Sequence, residues 1–231
     1  MGKLRIISHS GEAFVDRAEA GRLLAAELTE RHGQKAIVLG IPRGGIIVAR
    51  EVARAIEGEL DVVLAHKLGA PAHAELAVGS VAEDGKLFLN DAVVRDLDIS
   101  NEYIEQEKAR QLAQLQRRIA MIRKVRPKVP LKGKTVIVTD DGVATGATTQ
   151  AALWAVRAEK PAYLIAAMPV GPEDTIEGLA DDVDEMICLR TPALFAAVGQ
   201  FYQRFYPVED EDMLRVLRDE YRRTQGGASS K

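Results

Sequence analysis

Residues 136–149, Val136-Ile-Val-Thr-Asp-Asp-Gly-Val-Ala-Thr-Gly-Ala-Thr-Thr149, combine side chains suited to gripping a phosphorylated sugar. The β-branched start reads as a buried strand, the Gly, Ala and Thr run as a sharp turn, and Gln150 to Glu159 as a helix. Asp140 and Asp141 fall at the strand's C-terminal end, where carboxylates of parallel sheets meet sugar hydroxyls or a metal carried by the ligand. The small residues after them let backbone approach a ligand, and the unbonded N–H groups of a first helical turn attract phosphate. Two other glycine loops are excluded. A Walker A loop needs Lys where Ala147 stands, and a dinucleotide fingerprint needs a third glycine beside Gly142 and Gly146.

A second turn of this kind is Ile41-Pro-Arg-Gly-Gly-Ile46, between the apolar run Ala36–Gly40 and a helix over Ile46–Ile56. Arg43 offers charge there, and Gly44 and Gly45 expose N–H groups. Taken alone, the same tetrapeptide is also an ordinary turn. Further strands read over Leu60–Ala65, Ala162–Met168 and Val183–Leu189, with a hairpin return at Gly85–Asn90. Helices are expected over Glu12–Arg31, with Phe14 in its buried stripe, over Asn101–Arg126 capped by Ser100, and over Glu209–Arg223. The seam of the long helix, Ile104, Leu112, Leu115, Ile119 and Ile122, packs on the domain or pairs with another subunit. Alternating strands and helices predict an α/β fold, a central mostly parallel sheet with helices on both faces, and this sets the ligand turns along one edge.

Composition narrows the function. The chain has 231 residues, 47% of them apolar, and a net charge of -3 without a basic stripe, so nothing favours a nucleic-acid partner. Its one cysteine, Cys188, excludes an internal disulfide and reads as a small core residue. No apolar run approaches the roughly 18 residues of a membrane span, and no signal-peptide core stands at the N-terminus, so a cytoplasmic protein is expected. His9, His32, His66 and His73 read as satisfied surface histidines.

Val136 to Thr149 resembles, without a gap, the signature by which type I phosphoribosyltransferases bind phosphoribosyl pyrophosphate (PRPP). Pro42-Arg-Gly-Gly45 resembles that family's pyrophosphate turn, which often holds a non-proline cis bond; here it would lie at Pro42-Arg43. With the long helix, the whole chain looks like the uncharacterised branch of predicted phosphoribosyltransferases. The resemblance implies a PRPP-dependent enzyme using Mg2+, a pentosyltransferase of nucleotide metabolism that hands the phosphoribosyl group to a base and releases pyrophosphate. It implies that Asp140 and Asp141 hold the ribose directly or through the metal. It implies that Gly142 and Val143 also bind PRPP, that Ala144 to Thr148 (Ala144, Thr145, Gly146, Ala147, Thr148) cradle its 5′-phosphate, and that Arg43, Gly44 and Gly45 grip the pyrophosphate.

Lys67, at a strand end, either assists the leaving group or is a solvated lysine, and Glu75 either meets a proton of the acceptor or is a loop-surface glutamate. The resemblance further implies one domain over 1–224 with a flexible flap about 69–85, a helical insertion about 100–127, a base-binding hood about 189–206 and a disordered tail over 225–231; the aromatics of the hood stretch read equally as core. Ala144 stands where enzymes for 6-oxopurines carry an Asp, which disfavours hypoxanthine and guanine as acceptors. A rival expectation is a non-catalytic PRPP or nucleotide sensor on the same fold.

Overall fold

A computed structural model describes residues 2–71 and 73–228; the side chains of residues 73–75 and 226–228 lie outside that description. The elements, in chain order, are β1 (Lys3–Ser8), α1 (Arg17–Ala26), β2 (Ile37–Gly40), α2 (Gly45–Ala55), β3 (Glu59–Val62), β4 (Ala65–Ala70), β5 (His73–Ala82), β6 (Leu87–Leu89), α3 (Asp91–Asp96) and α4 (Asn101–Arg123). There follow β7 (Thr135–Thr139), α5 (Ala147–Ala158), β8 (Tyr163–Val170), α6 (Glu173–Ala180), β9 (Glu185–Arg190) and α7 (Asp210–Ala228).

Six strands form a parallel sheet in the order β1-β9-β8-β7-β2-β3. Its strands read as unbroken apolar runs because both faces are covered. Val38, Ile137, Ile165 and Ile187 point into a core shared with α1, α2 and α7. Their neighbours Leu39, Val136, Leu164 and Met186 point the other way, into a core shared with α5 and α6. Cys188 is one of these, and burial pushes its thiol up to about 12, as a small core side chain and not a nucleophile requires.

The order places β2 beside β7, with Gly40 opposite Thr139 and the Ile41 N–H donating to the Thr139 carbonyl at 2.9 Å. The turns after these two strands are therefore neighbours at the sheet's C-terminal edge.

Four local expectations change. The first helix begins at Arg17, not Glu12, because the Asp16 carboxylate caps it by accepting from the Glu19 N–H. Phe14 instead bridges to Tyr202. The stretch expected as a loose flap contains β5, the middle strand of an antiparallel sheet β4-β5-β6, with Val78 and Val81 buried. Lys67 lies within β4 of this sheet, not at the end of the preceding strand. The chain expected to fray from 225 stays helical to Ala228, and residues 229–231 lie outside the described residues.

The long helix starts where expected, with Ser100 Oγ accepting from the Tyr103 N–H, and packs on its own chain: Ile104 beneath the small sheet, Ile122 in the main core. Phe88 of β6 stacks on Trp154 of α5, ring centroids 5.0 Å apart, joining the two sheets.

Candidate functional site

The site forms where β2 and β7 end. α5 begins at Gly146, whose φ of +78° is left-handed, and no side chain caps the helix. Its first N–H groups are thus left to a ligand. Thr175 Oγ1 donates to the Ala144 carbonyl at 3.2 Å and the Val143 N–H to the Val170 carbonyl at 2.8 Å, which fixes the loop on α6 and β8. Thr145 and Thr148 are exposed. A cavity of about 200 Å³ opens here, lined by Asp140, the Gly142–Thr149 loop, Ile41, Pro42 and Val198.

The turn after β2 holds a cis peptide bond at Pro42-Arg43, as expected. α2 likewise starts without a side-chain cap, at Gly44. The glycines of this turn are required by the neighbouring acidic loop. A Cβ on Gly44 would lie 1.9 Å from Asp141 Oδ2, and one on Gly45 would lie 2.8 Å from the Asp140 Cα. Arg43 is half exposed and its Nη1 reaches Glu209 Oε2 at 3.2 Å.

The two aspartates differ. Asp141 is clamped: Arg17 Nε donates to its Oδ2 at 2.7 Å, and Tyr202 Oη donates to its backbone carbonyl at 2.5 Å. Asp140 accepts from the Asp141 N–H at 2.8 Å. Burial first, and the Asp141 charge second, push the Asp140 carboxyl well above the usual carboxylate range. Burial also raises Asp141, against the opposing pull of Arg17. The pair therefore presents one carboxylate paired with a guanidinium and one whose ionisation burial disfavours.

Sequence reasoning missed Arg17 and Tyr202 as partners of this loop. Arg17 spans Asp141 and the Tyr206 carbonyl, to which its Nη1 donates at 2.8 Å, and its guanidinium stacks 3.9 Å from the Phe205 ring centroid. An arginine opening a helix carries no local mark of a partner 124 positions away.

The aromatic stretch expected as a hood divides. Phe201 and Tyr202 are core, Phe205 and Tyr206 cover Arg17, and Val198 of the same stretch lines the cavity. Lys67 and the loop cavity are not brought together by any shared lining, and the Glu75 side chain lies outside the described residues. A larger cavity, about 490 Å³, lies behind Arg17 between α1, α2 and α7, away from the Gly142–Thr149 loop.

Comparison with known proteins places the chain in a family. The family model of the phosphoribosyl transferase domain matches residues 12–199. The protein "Putative phosphoribosyl transferase Rv0571c" of Mycobacterium tuberculosis is 43% identical over 204 residues, 88% of this chain, as is its counterpart in a second strain. The chain spans 46% of the length of these curated relatives. The crystal structure of TT1426 from Thermus thermophilus superposes with a TM-score of 0.85 at 44% identity, covering 90% of this chain and 98% of that one. With most of its length matched in both sequence and fold, the chain belongs to the phosphoribosyl transferase domain family.

Proposed function

We propose that the protein is a PRPP-dependent phosphoribosyltransferase: the C1–O bond to pyrophosphate breaks, a bond from C1 to an acceptor nitrogen forms, and the acceptor's proton is released. One observation carries this reading. Two uncapped helix N-termini, α2 and α5, start from adjacent parallel strands with a carboxylate pair between them. Such an arrangement suits a ligand with phosphate at each end and a sugar in the middle.

In this reading Ala144 to Thr148 and the start of α5 hold the 5′-phosphate, and Asp140 and Asp141 hold the ribose hydroxyls. Arg43, Gly44 and Gly45 meet the pyrophosphate, with Arg43 leaving Glu209 to do so. Catalysis is then mainly positioning and charge stabilisation.

The donor set fits Mg2+ arriving with PRPP. Asp140 is an enclosed carboxylate without a cationic hydrogen-bond partner among the described residues, and Mg2+ is commonly held by one or two carboxylates together with substrate phosphates. The ion, when bound, neutralises charge on the departing diphosphate. Fixing Asp141 falls to Arg17, and shaping the pocket wall falls to Val198 and Pro42.

Titration calorimetry with PRPP and Mg2+ tests the reading. Wild type binds; Asp140→Asn combined with Asp141→Asn weakens binding on the order of 100-fold or more, as expected for losing two charge-assisted contacts of ~1.5–3 kcal/mol each. No heat from the wild type sinks the proposal. A panel of bases, scored by pyrophosphate release, identifies the acceptor; binding with no base raising the rate supports the sensor instead.

A further inference from the structure

The loop cavity continues sideways. Ile41, Pro42 and Thr148 also line a smaller space of about 90 Å³, whose other wall includes His66 of β4 and Arg118 of α4. His66 and Arg118 in turn line a third space of about 360 Å³. Shared lining residues set the three spaces side by side, a row that leads from the phosphate loop past the Pro42 turn to α4.

Arg118 is partly buried, and among the described residues it has no hydrogen-bond or ion-pair partner. Its position is fixed by three tethers of α4. Tyr103 Oη donates to the Gly69 carbonyl at 2.8 Å, and Arg123 Nη1 donates to Asp61 Oδ1 at 2.8 Å. Between them, Gln111 Nε2 donates to Glu107 Oε1 at 2.7 Å, so its Oε1 accepts from His66 Nδ1 at 2.9 Å. The His66 ring is thereby oriented by the helix.

A guanidinium held half out of water with its donors unused calls for an oxyanion. We propose that Arg118 is a substrate-binding residue supplied by the long helix, gripping an oxyanion in the space beside the Pro42 turn. The inference rests on the phosphoribosyltransferase reading. Two substrates could bring that oxyanion: the diphosphate of PRPP, beside the Pro42 turn, or an acidic substituent on the acceptor ring.

Calorimetry on the full chain in Mg2+ separates these with PRPP, inorganic pyrophosphate, and pyridine-3-carboxylate set against its amide, the last two on protein holding pyrophosphate. If the diphosphate is the source, Arg118→Gln lowers affinity for PRPP and pyrophosphate by about tenfold or more, the loss of one charge-assisted contact. If the acceptor is the source, those affinities hold and the preference for the carboxylate over the amide disappears. Arg118→Lys restores part of either loss, and Lys124→Gln, an exposed charge on the turn after α4, changes neither. Wild type that binds PRPP while Arg118→Gln matches it in every affinity overturns this inference alone. Wild type that binds no PRPP overturns it together with the proposed function.

Discussion

Arg17 shows how one side chain can organise a site from outside it. Its guanidinium is divided between the Asp141 carboxylate, the Tyr206 carbonyl and the Phe205 ring, so it joins the acidic loop to the C-terminal segment. Both charges are largely out of water, with side-chain exposures of 11% and 15%. Removing one partner would leave the other buried and uncompensated. Arg17→Met is therefore expected to cost about 3 kcal/mol in urea unfolding, within the range for broken buried pairs. Arg17→Lys should recover part of it, keeping the charge but not the fork. The identity of Gly44 was legible as a turn signal, but its reason was not. Its side chain is forbidden by Asp141 Oδ2, an atom brought there by the adjacency of β2 and β7.

Among the elements, the helices show how packing distance sets the meaning of a glycine. Gly21 lies where α1 crosses α2, and a Cβ there would stand 2.8 Å from the Glu51 Cβ and 2.9 Å from the Val48 carbonyl oxygen. Gly178 in α6 meets nothing within 4 Å. Alanine should act with opposite sign at the two sites. Gly178→Ala is expected to stabilise the chain by about 0.5–1 kcal/mol through helix propensity, and Gly21→Ala to destabilise it by forcing the helices apart. Thermal unfolding of the two variants checks both. The helix pattern was legible from residue spacing, and α4 with its Ser100 cap was placed to within a turn. The strand β5 was not legible, because its small, nearly uncharged residues look like a loop until β4 and β6 supply ladder partners on both sides.

For the molecule as a whole, binding and stability pull Asp140 in opposite directions. Its raised pKa means that the folded chain takes up a proton there more readily than the unfolded chain, whose Asp titrates near 3.8. That contribution to stability is present at low pH and is lost as pH climbs from about 3.8 through the raised folded value. In the proposed function the ionised form is the one that receives a cation, so PRPP affinity in Mg2+ should fall as pH drops through the same window. Asp140→Asn is expected to flatten that affinity profile at a low level while raising neutral-pH stability by about 1 kcal/mol, measured by calorimetry and unfolding on the same samples.

The sequence by itself determined the parallel sheet, its strands β2, β7, β8 and β9, and the acidic loop leading into a helix, because periodicity and turn chemistry act over a few neighbouring residues. Tertiary structure alone decided that Arg17 neutralises Asp141, that Arg118 lines the space beside the Pro42 turn, and that Phe201 belongs to the core. Those outcomes depend on which strands become neighbours and how far a helix reaches across them, distances that no local pattern encodes.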